Sequence, residues 1–146
     1  MNKEARTIYL IRQVQLASRN ALHERLQSVG LTASLYTAMS MLGRRGEVSS
    51  AALARKLEIT PQSMNEVIAA LEQKKLVSRD EAPDNRRVLL VKLTAAGRRQ
   101  LDACDEMVDV LEGEILGCLS RKELAAMREV LLKILDNART PAEADS

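Results

Sequence analysis

Residues Val48 to Leu93 read VSSAALARKLEITPQSMNEVIAALEQKKLVSRDEAPDNRRVLLVKL, and this stretch decides the fold. Ser49 stands where its side-chain oxygen can cap a helix over Ser50 to Leu57. Glu58 and Ile59 then make a tight turn. Thr60 caps a second helix, and Pro61 takes its first position, where a missing N–H leaves no bond unmade. Met64, Val67, Ile68 and Leu71 recur at helical spacing and share one face, expected to be buried; Pro61, Gln62, Asn65, Glu66 and Ala69 fall on the opposite face. Val77 to Asp80 and Arg87 to Leu93 read as strands. They flank a charged, turn-rich tip, Glu81-Ala82-Pro83-Asp84-Asn85-Arg86.

Two short helices set off by a turn, then a hairpin, make a winged helix-turn-helix pattern. A helix that starts with short polar groups fits a DNA major groove. Three further stretches narrow the match. Ser49-Ser50-Ala51-Ala52-Leu53-Ala54 is similar to a T-x-x-x-L-A helix start, Pro83-Asp84-Asn85-Arg86-Arg87 to a D-x-R wing tip, and Leu93-Thr94-Ala95-Ala96-Gly97-Arg98 to an L-T-x-x-G-R strand-to-helix junction. In this order and spacing the chain resembles the multiple-antibiotic-resistance regulator (MarR) family. The motifs cover roughly Leu31 to Leu101, and the helix layout covers nearly the whole chain.

The resemblance implies a mostly α fold with a small β-hairpin wing, in a single domain over 1–146. It implies a DNA-binding lobe at about 31–98 and dimerisation helices at about 4–28 and 99–138. It implies a DNA-binding transcriptional regulator, expected to repress, that sits as a homodimer on a pseudo-palindromic operator in double-stranded DNA. The expected contacts are Pro61, Gln62, Ser63, Asn65 and Glu66 on the second helix and Asp84, Arg86 and Arg87 on the wing. Gln62 and Asn65 have the groups to pair bidentately with adenine. By the resemblance, Arg86 enters the minor groove and Asp84 holds its guanidinium or the turn. Family members often bind small aromatic or phenolic effectors that release DNA, so such a partner is expected here. Glu66 keeps a second reading open, a winged-helix module that binds protein with DNA contact weak or lost. A carboxylate facing phosphates is unfavourable, although it can accept from a cytosine amino group.

Composition agrees with one domain. The 146 residues are 46% hydrophobic, with no Trp or Phe and only Tyr9 and Tyr36, so the expected core is aliphatic. No apolar run approaches a membrane span, and the start MNKEARTIYLIRQ lacks a signal-peptide pattern, so a cytoplasmic protein is expected. The net charge of +2 is unevenly spread: +3 over Met1 to Gly43, +5 over Arg44 to Gln100 and −6 over Leu101 to Ser146. The excess positive charge coincides with the segment that reads as the DNA binder.

A first helix is expected from about Glu4 to Gln27, apolar on more than one stripe, with His23 as a structural side chain. Gly30 ends it. Thr32 caps the next helix, which carries Leu35, Tyr36, Met39 and Leu42, and Gly43-Arg44-Arg45-Gly46 reads as a basic turn. Ala95 to about Leu119 reads as a long helix with a heptad seam of Leu101, Cys104, Val108, Leu111, Ile115 and Cys118. Ser120-Arg121-Lys122-Glu123 is a capping box, and Leu124, Met127, Leu131, Ile134 and Ala138 form a second seam before a tail expected to fray from Asn137. This is more apolar surface than one small winged helix can bury, which argues for a partner chain.

No catalytic motif is present, and no cofactor is expected. One histidine and two cysteines do not supply a usual zinc site. On one helix Cys104 and Cys118 would stand about 21 Å apart, too far for a disulfide; packing is favoured over redox sensing, and a bridge across the dimer stays open. Tyr36 and Arg19 could line an effector cleft but read first as a core tyrosine and a surface arginine.

Overall fold

The computed structural model describes residues 4–139. Its elements are α1 (Thr7–Gln27), α2 (Ala33–Arg45), β1 (Val48–Ser49), α3 (Ser50–Lys56), α4 (Pro61–Gln73), β2 (Val77–Ala82), β3 (Asn85–Leu93), α5 (Ala95–Leu116) and α6 (Arg121–Ala138). The chain divides into two compact units, Met1–Val108 and Asp109–Ser146.

In the first unit the helix starts are set by local chemistry. Thr32, Ser49 and Thr60 each accept from an N–H three residues on, at 3.2, 3.1 and 3.0 Å. The stops at α3 and α4 share one device. Glu58 (φ 56°) and Lys75 (φ 62°) adopt left-handed backbone. The N–H of each next residue reaches back to the helix, Ile59 to the Ala54 carbonyl at 3.1 Å and Leu76 to the Leu71 carbonyl at 2.9 Å. This is how Glu58 and Ile59 turn α3 into α4 without a glycine.

The sheet is antiparallel in the order β1-β3-β2. β1, a strand the sequence reading did not contain, pairs Val48 with Val91. β2 and β3 run further toward the tip than expected. Ala82 pairs with Asn85, so only Pro83 and Asp84 form the turn, and Arg86 belongs to a strand. Neither turn residue has positive φ, which excludes the primed turns that match strand twist; the register irregularity at Glu81/Ala82 takes up the mismatch.

Two further boundaries differ. α1 begins at Thr7 rather than Glu4, since Arg6 is extended and offers no side-chain cap. Gly43, Arg44 and Arg45 are the last turn of α2, not a loop, and Gly46 (φ 79°) ends the helix. The reason is tertiary. A side chain at residue 43 would overlap Leu101, so the glycine lets α2 lie close to α5. The two arginines also suit the negative end of the helix dipole.

The core of this unit is aliphatic, as composition requires. Leu26, Met39, Leu42, Leu53, Met64, Ile68, Leu71 and Val91 are fully buried, together with Cys104, and no polar residue is buried among those described. The strand-to-helix junction is held by Thr94. Its hydroxyl donates to the Lys75 carbonyl at 2.7 Å and accepts from the Gly97 N–H at 3.0 Å. A Cβ on Gly97 would overlap the Leu76 carbonyl, which explains the glycine of the L-T-x-x-G-R pattern.

In the second unit α5 stops at Leu116, short of the expected Leu119. Cys118 therefore lies in a turn, exposed, and not in a helical seam. The capping box at the start of α6 forms as expected: Glu123 N–H to Ser120 Oγ at 3.1 Å and Ser120 N–H to Glu123 Oε2 at 2.8 Å. No residue of α6 is buried. Asn137 and Ala138 are still helical; the rest of the expected frayed tail, from Thr140 on, lies outside the described residues.

Candidate nucleic-acid interface

α4 divides as its spacing indicates. Met64, Ile68 and Leu71 are buried, Val67 of the same face is only half-buried, and Pro61, Gln62, Ser63, Asn65, Glu66 and Ala69 are all exposed. The helix start thus presents an amide, a hydroxyl, a second amide and a carboxylate on one open surface. No acidic residue occupies its first turn, so the positive end of the helix dipole stays open to an anion.

Local bonds restrict two of these groups. The Thr60 hydroxyl donates to Ser63 Oγ at 2.9 Å, which fixes that side chain against the cap. The Ser50 hydroxyl donates to Asn65 Oδ1 at 3.3 Å, tying the start of α3 to α4. The Asn65 amide nitrogen stays available as a donor. Adenine reading also needs the carbonyl oxygen as acceptor, which must then use its second lone pair or release Ser50. Spacing along the chain marks Ser50 only as a helix residue. Nothing in one-dimensional spacing reveals that it faces Asn65, fifteen positions on. Gln62 and Glu66 have no side-chain hydrogen bond or ion pair among the described residues.

The wing carries Asp84 in its turn and Arg86 and Arg87 on the first residues of β3, all exposed. Both arginines fall between Asn85 and Leu89, where the register of the hairpin shifts, so the tip carries two guanidinium groups outside its regular ladder. The expected hold of Asp84 on Arg86 does not form: neither residue is in an ion pair among those described. Asn85 orders the strand start instead, its Oδ1 accepting from the Arg87 N–H at 3.1 Å. Near the wing base, Lys92 and Asp80 lie 3.9 Å apart, a surface pair worth about 0–1 kcal/mol.

A contact absent from the sequence reading joins helix and wing. Arg79 of β2 grips Glu72 of α4 with two parallel bonds, Nε to Oε2 at 2.9 Å and Nη2 to Oε1 at 3.0 Å. The fork geometry fixes orientation as well as distance. The guanidinium holds the Glu72 carboxyl below its ordinary pKa, and the carboxylate raises that of Arg79. No periodicity could have paired these residues, because a helix end, a turn and a strand start lie between them.

Other expected site features resolve simply. His23 and Arg19 are exposed on α1. Tyr36 is half-buried; its hydroxyl donates to Asp105 Oδ1 at 2.7 Å, and burial, then this bond, push its pKa up to about 12. Burial likewise raises the Cys104 thiol. Among the described residues no group of His, Cys, Asp and Glu is placed to hold a metal ion, and no helix is long and apolar enough to cross a membrane.

The chain is similar to proteins of known family. A family model described as the MarR family matches residues 31–89. The HTH-type transcriptional repressor Rv2887 of Mycobacterium tuberculosis is 30% identical over 126 residues, covering 86% of this chain and 91% of the relative. The crystal structure of a cysteine-to-serine mutant of MarR from Escherichia coli, complexed with operator DNA, superposes with a TM-score of 0.79 at 25% identity, covering 87% of this chain and 91% of that one. Wild-type apo MarR from E. coli has a TM-score of 0.80 at 24% identity, over 92% of this chain and 99% of that one.

Proposed function

Because the chain belongs to the MarR family of DNA-binding transcriptional regulators, we propose that it is a homodimeric repressor of a pseudo-palindromic operator. The start of α4 reads the major groove through Pro61, Gln62, Ser63, Asn65 and Glu66. The wing, through Asp84, Arg86 and Arg87, lies at the adjacent minor groove, where a narrow groove attracts arginine. The reading lobe spans about 31–98, and the pairing helices span about 4–28 and 99–138. Repression is the role named for the mycobacterial relative, and operator DNA is the partner in the E. coli MarR complex. A two-fold dimer sets two reading helices about 34 Å apart, one turn of DNA. Release by a small effector belongs to the same reading; an aromatic or phenolic one is implied by the resemblance alone.

The observation that carries the proposal is the exposed polar start of α4, together with a hairpin whose two arginines are in no ion pair among the described residues. Titration of Arg86→Ala, Gln62→Ala and Asn65→Ala on operator and random DNA at several salt concentrations tests it. Arg86→Ala should weaken binding to most sequences and flatten the log-affinity against log-salt slope by about one unit. Gln62→Ala and Asn65→Ala should lose about 1–3 kcal/mol of discrimination at particular base pairs and keep the slope. A wild-type protein with little DNA affinity and no salt slope would move this surface to protein binding, the role that Glu66 would suit.

A further inference from the structure

Ser50 stands at a point pinned from two sides. Ser49 before it pairs with Leu90 in the sheet and caps α3 through the Ala52 N–H at 3.1 Å. Leu53 after it is fully buried, and α3 packs on α4. The Ser50 hydroxyl therefore reaches Asn65 from a fixed position and not from a loose loop. It donates to Asn65 Oδ1 at 3.3 Å, and Asn65 Nδ2 has no hydrogen-bond partner among the described residues.

This bond divides the two ends of one amide. The oxygen is held toward α3, and the nitrogen keeps two free donors. Adenine pairing needs both ends on the base together, the nitrogen donating to N7 and the oxygen accepting from the N6 amino group. Turning the oxygen onto the base strips Ser50 of its acceptor, and an unpaired hydroxyl is unfavourable once DNA has dried the surface. Guanine offers acceptors alone, N7 and O6, so Asn65 can satisfy it while Ser50 keeps the oxygen. Ser63 is biased the same way: Thr60 donates to its Oγ at 2.9 Å, which leaves the Ser63 hydroxyl hydrogen unused. Gln62 is the contrast. It has no side-chain hydrogen bond among the described residues, so both ends of its amide stay free for adenine.

We propose that Ser50 is a positioning residue that makes Asn65 a reader of guanine and not of adenine. This role rests on the regulator reading above, in which the start of α4 lies in the major groove.

Selection of sequences from a random duplex DNA library by the full chain tests it, with circular dichroism of each variant to check folding. Asn65→Ala should lose preference at one base pair of each half-site, which marks the pair that Asn65 reads. The wild type should favour guanine over adenine there by about tenfold. Ser50→Ala frees the oxygen and should move that ratio toward adenine, with the preference set by Gln62 retained. Ser50→Thr keeps a hydroxyl and should keep guanine. Ser50→Asp accepts from Nδ2 and turns the oxygen outward, so it should move the same position toward cytosine, whose amino group donates. A carboxylate also suits a helix start, so this variant tests the inference even if Ser50→Ala folds poorly. A merely structural Ser50 would weaken binding to all sequences evenly and leave these ratios alone. The inference is overturned, with the regulator reading intact, if Asn65→Ala marks no pair, if the wild type favours another base there, or if Ser50→Ala and Ser50→Asp keep the guanine preference. A wild type that selects no sequence from the library fails the regulator reading, and the role of Ser50 with it.

Discussion

Lys75 holds a left-handed backbone (φ 62°) that an L side chain adopts at a cost, and its carbonyl accepts from the Thr94 hydroxyl. Lys75→Gly removes that strain and keeps the bond, so it should raise stability by about 1 kcal/mol, partly offset by the freer unfolded chain. Gly97 is the opposite case. Its neighbour is the Leu76 carbonyl, a backbone atom that cannot swing away. Gly97→Ala should cost about 1–3 kcal/mol or more through overpacking. Denaturant midpoints of the two variants check both signs, and a neutral Gly97→Ala would show that α5 can shift off the sheet. Cys104 supplies a third residue-scale result: it is buried in the core with its thiol pKa raised, which disfavours the thiolate an oxidant would attack.

Between elements, the Glu72–Arg79 fork is the polar link of α4 to β2. It is partly exposed, 42% and 31% by side chain, so its value lies in orientation more than in stability. Glu72→Gln should lower operator affinity severalfold by letting the wing rotate against the reading helix. Arg79→Lys should not restore it, because an ammonium lacks the planar fork. The pH response has a definite sign. Glu72 titrates below its unfolded value of 4.5 in the fold. Its stabilisation is thus present above that value and is lost as pH falls through the folded pKa. Thermal melts of wild type and Glu72→Gln should differ at neutrality and converge in acid. A gap that persists in acid would assign the effect to shape rather than charge.

Across the whole molecule, apolar side chains remain uncovered on the first and last helices. Ile8 is 72% exposed and Val14 60% on α1, and Leu132 is 62% and Leu135 53% on α6. Burying one such leucine contributes about 2 kcal/mol, so pairing of two copies is the expected use of these faces. Leu111 is buried within the single chain, so changing it would confuse folding with assembly. Leu131 is exposed at 44% and tests assembly alone. Leu131→Asp should keep the helical signal and shift sedimentation from dimer to monomer. A wild type that sediments as a folded monomer at micromolar concentration would end the dimer reading.

The sequence by itself determined the order of the six helices and the hairpin, the caps at Thr32, Ser49, Thr60 and Ser120, most of the buried face of α4 and its exposed polar face. Each of these is local: a capping oxygen lies within three residues of its N–H, and a helical face repeats every three or four. Family membership was legible for the same reason, since its motifs mark a turn, a hairpin and a junction. Tertiary structure decided what depends on contacts across the chain. It continued α2 through Gly43 because Leu101 packs there, drew Val48 into a third strand on Val91, and placed Arg86 in a strand rather than a loop. It also paired Ser50 with Asn65 and Glu72 with Arg79. Such partners meet only after the core has collapsed, and no spacing rule along the chain encodes which side chains that collapse brings face to face.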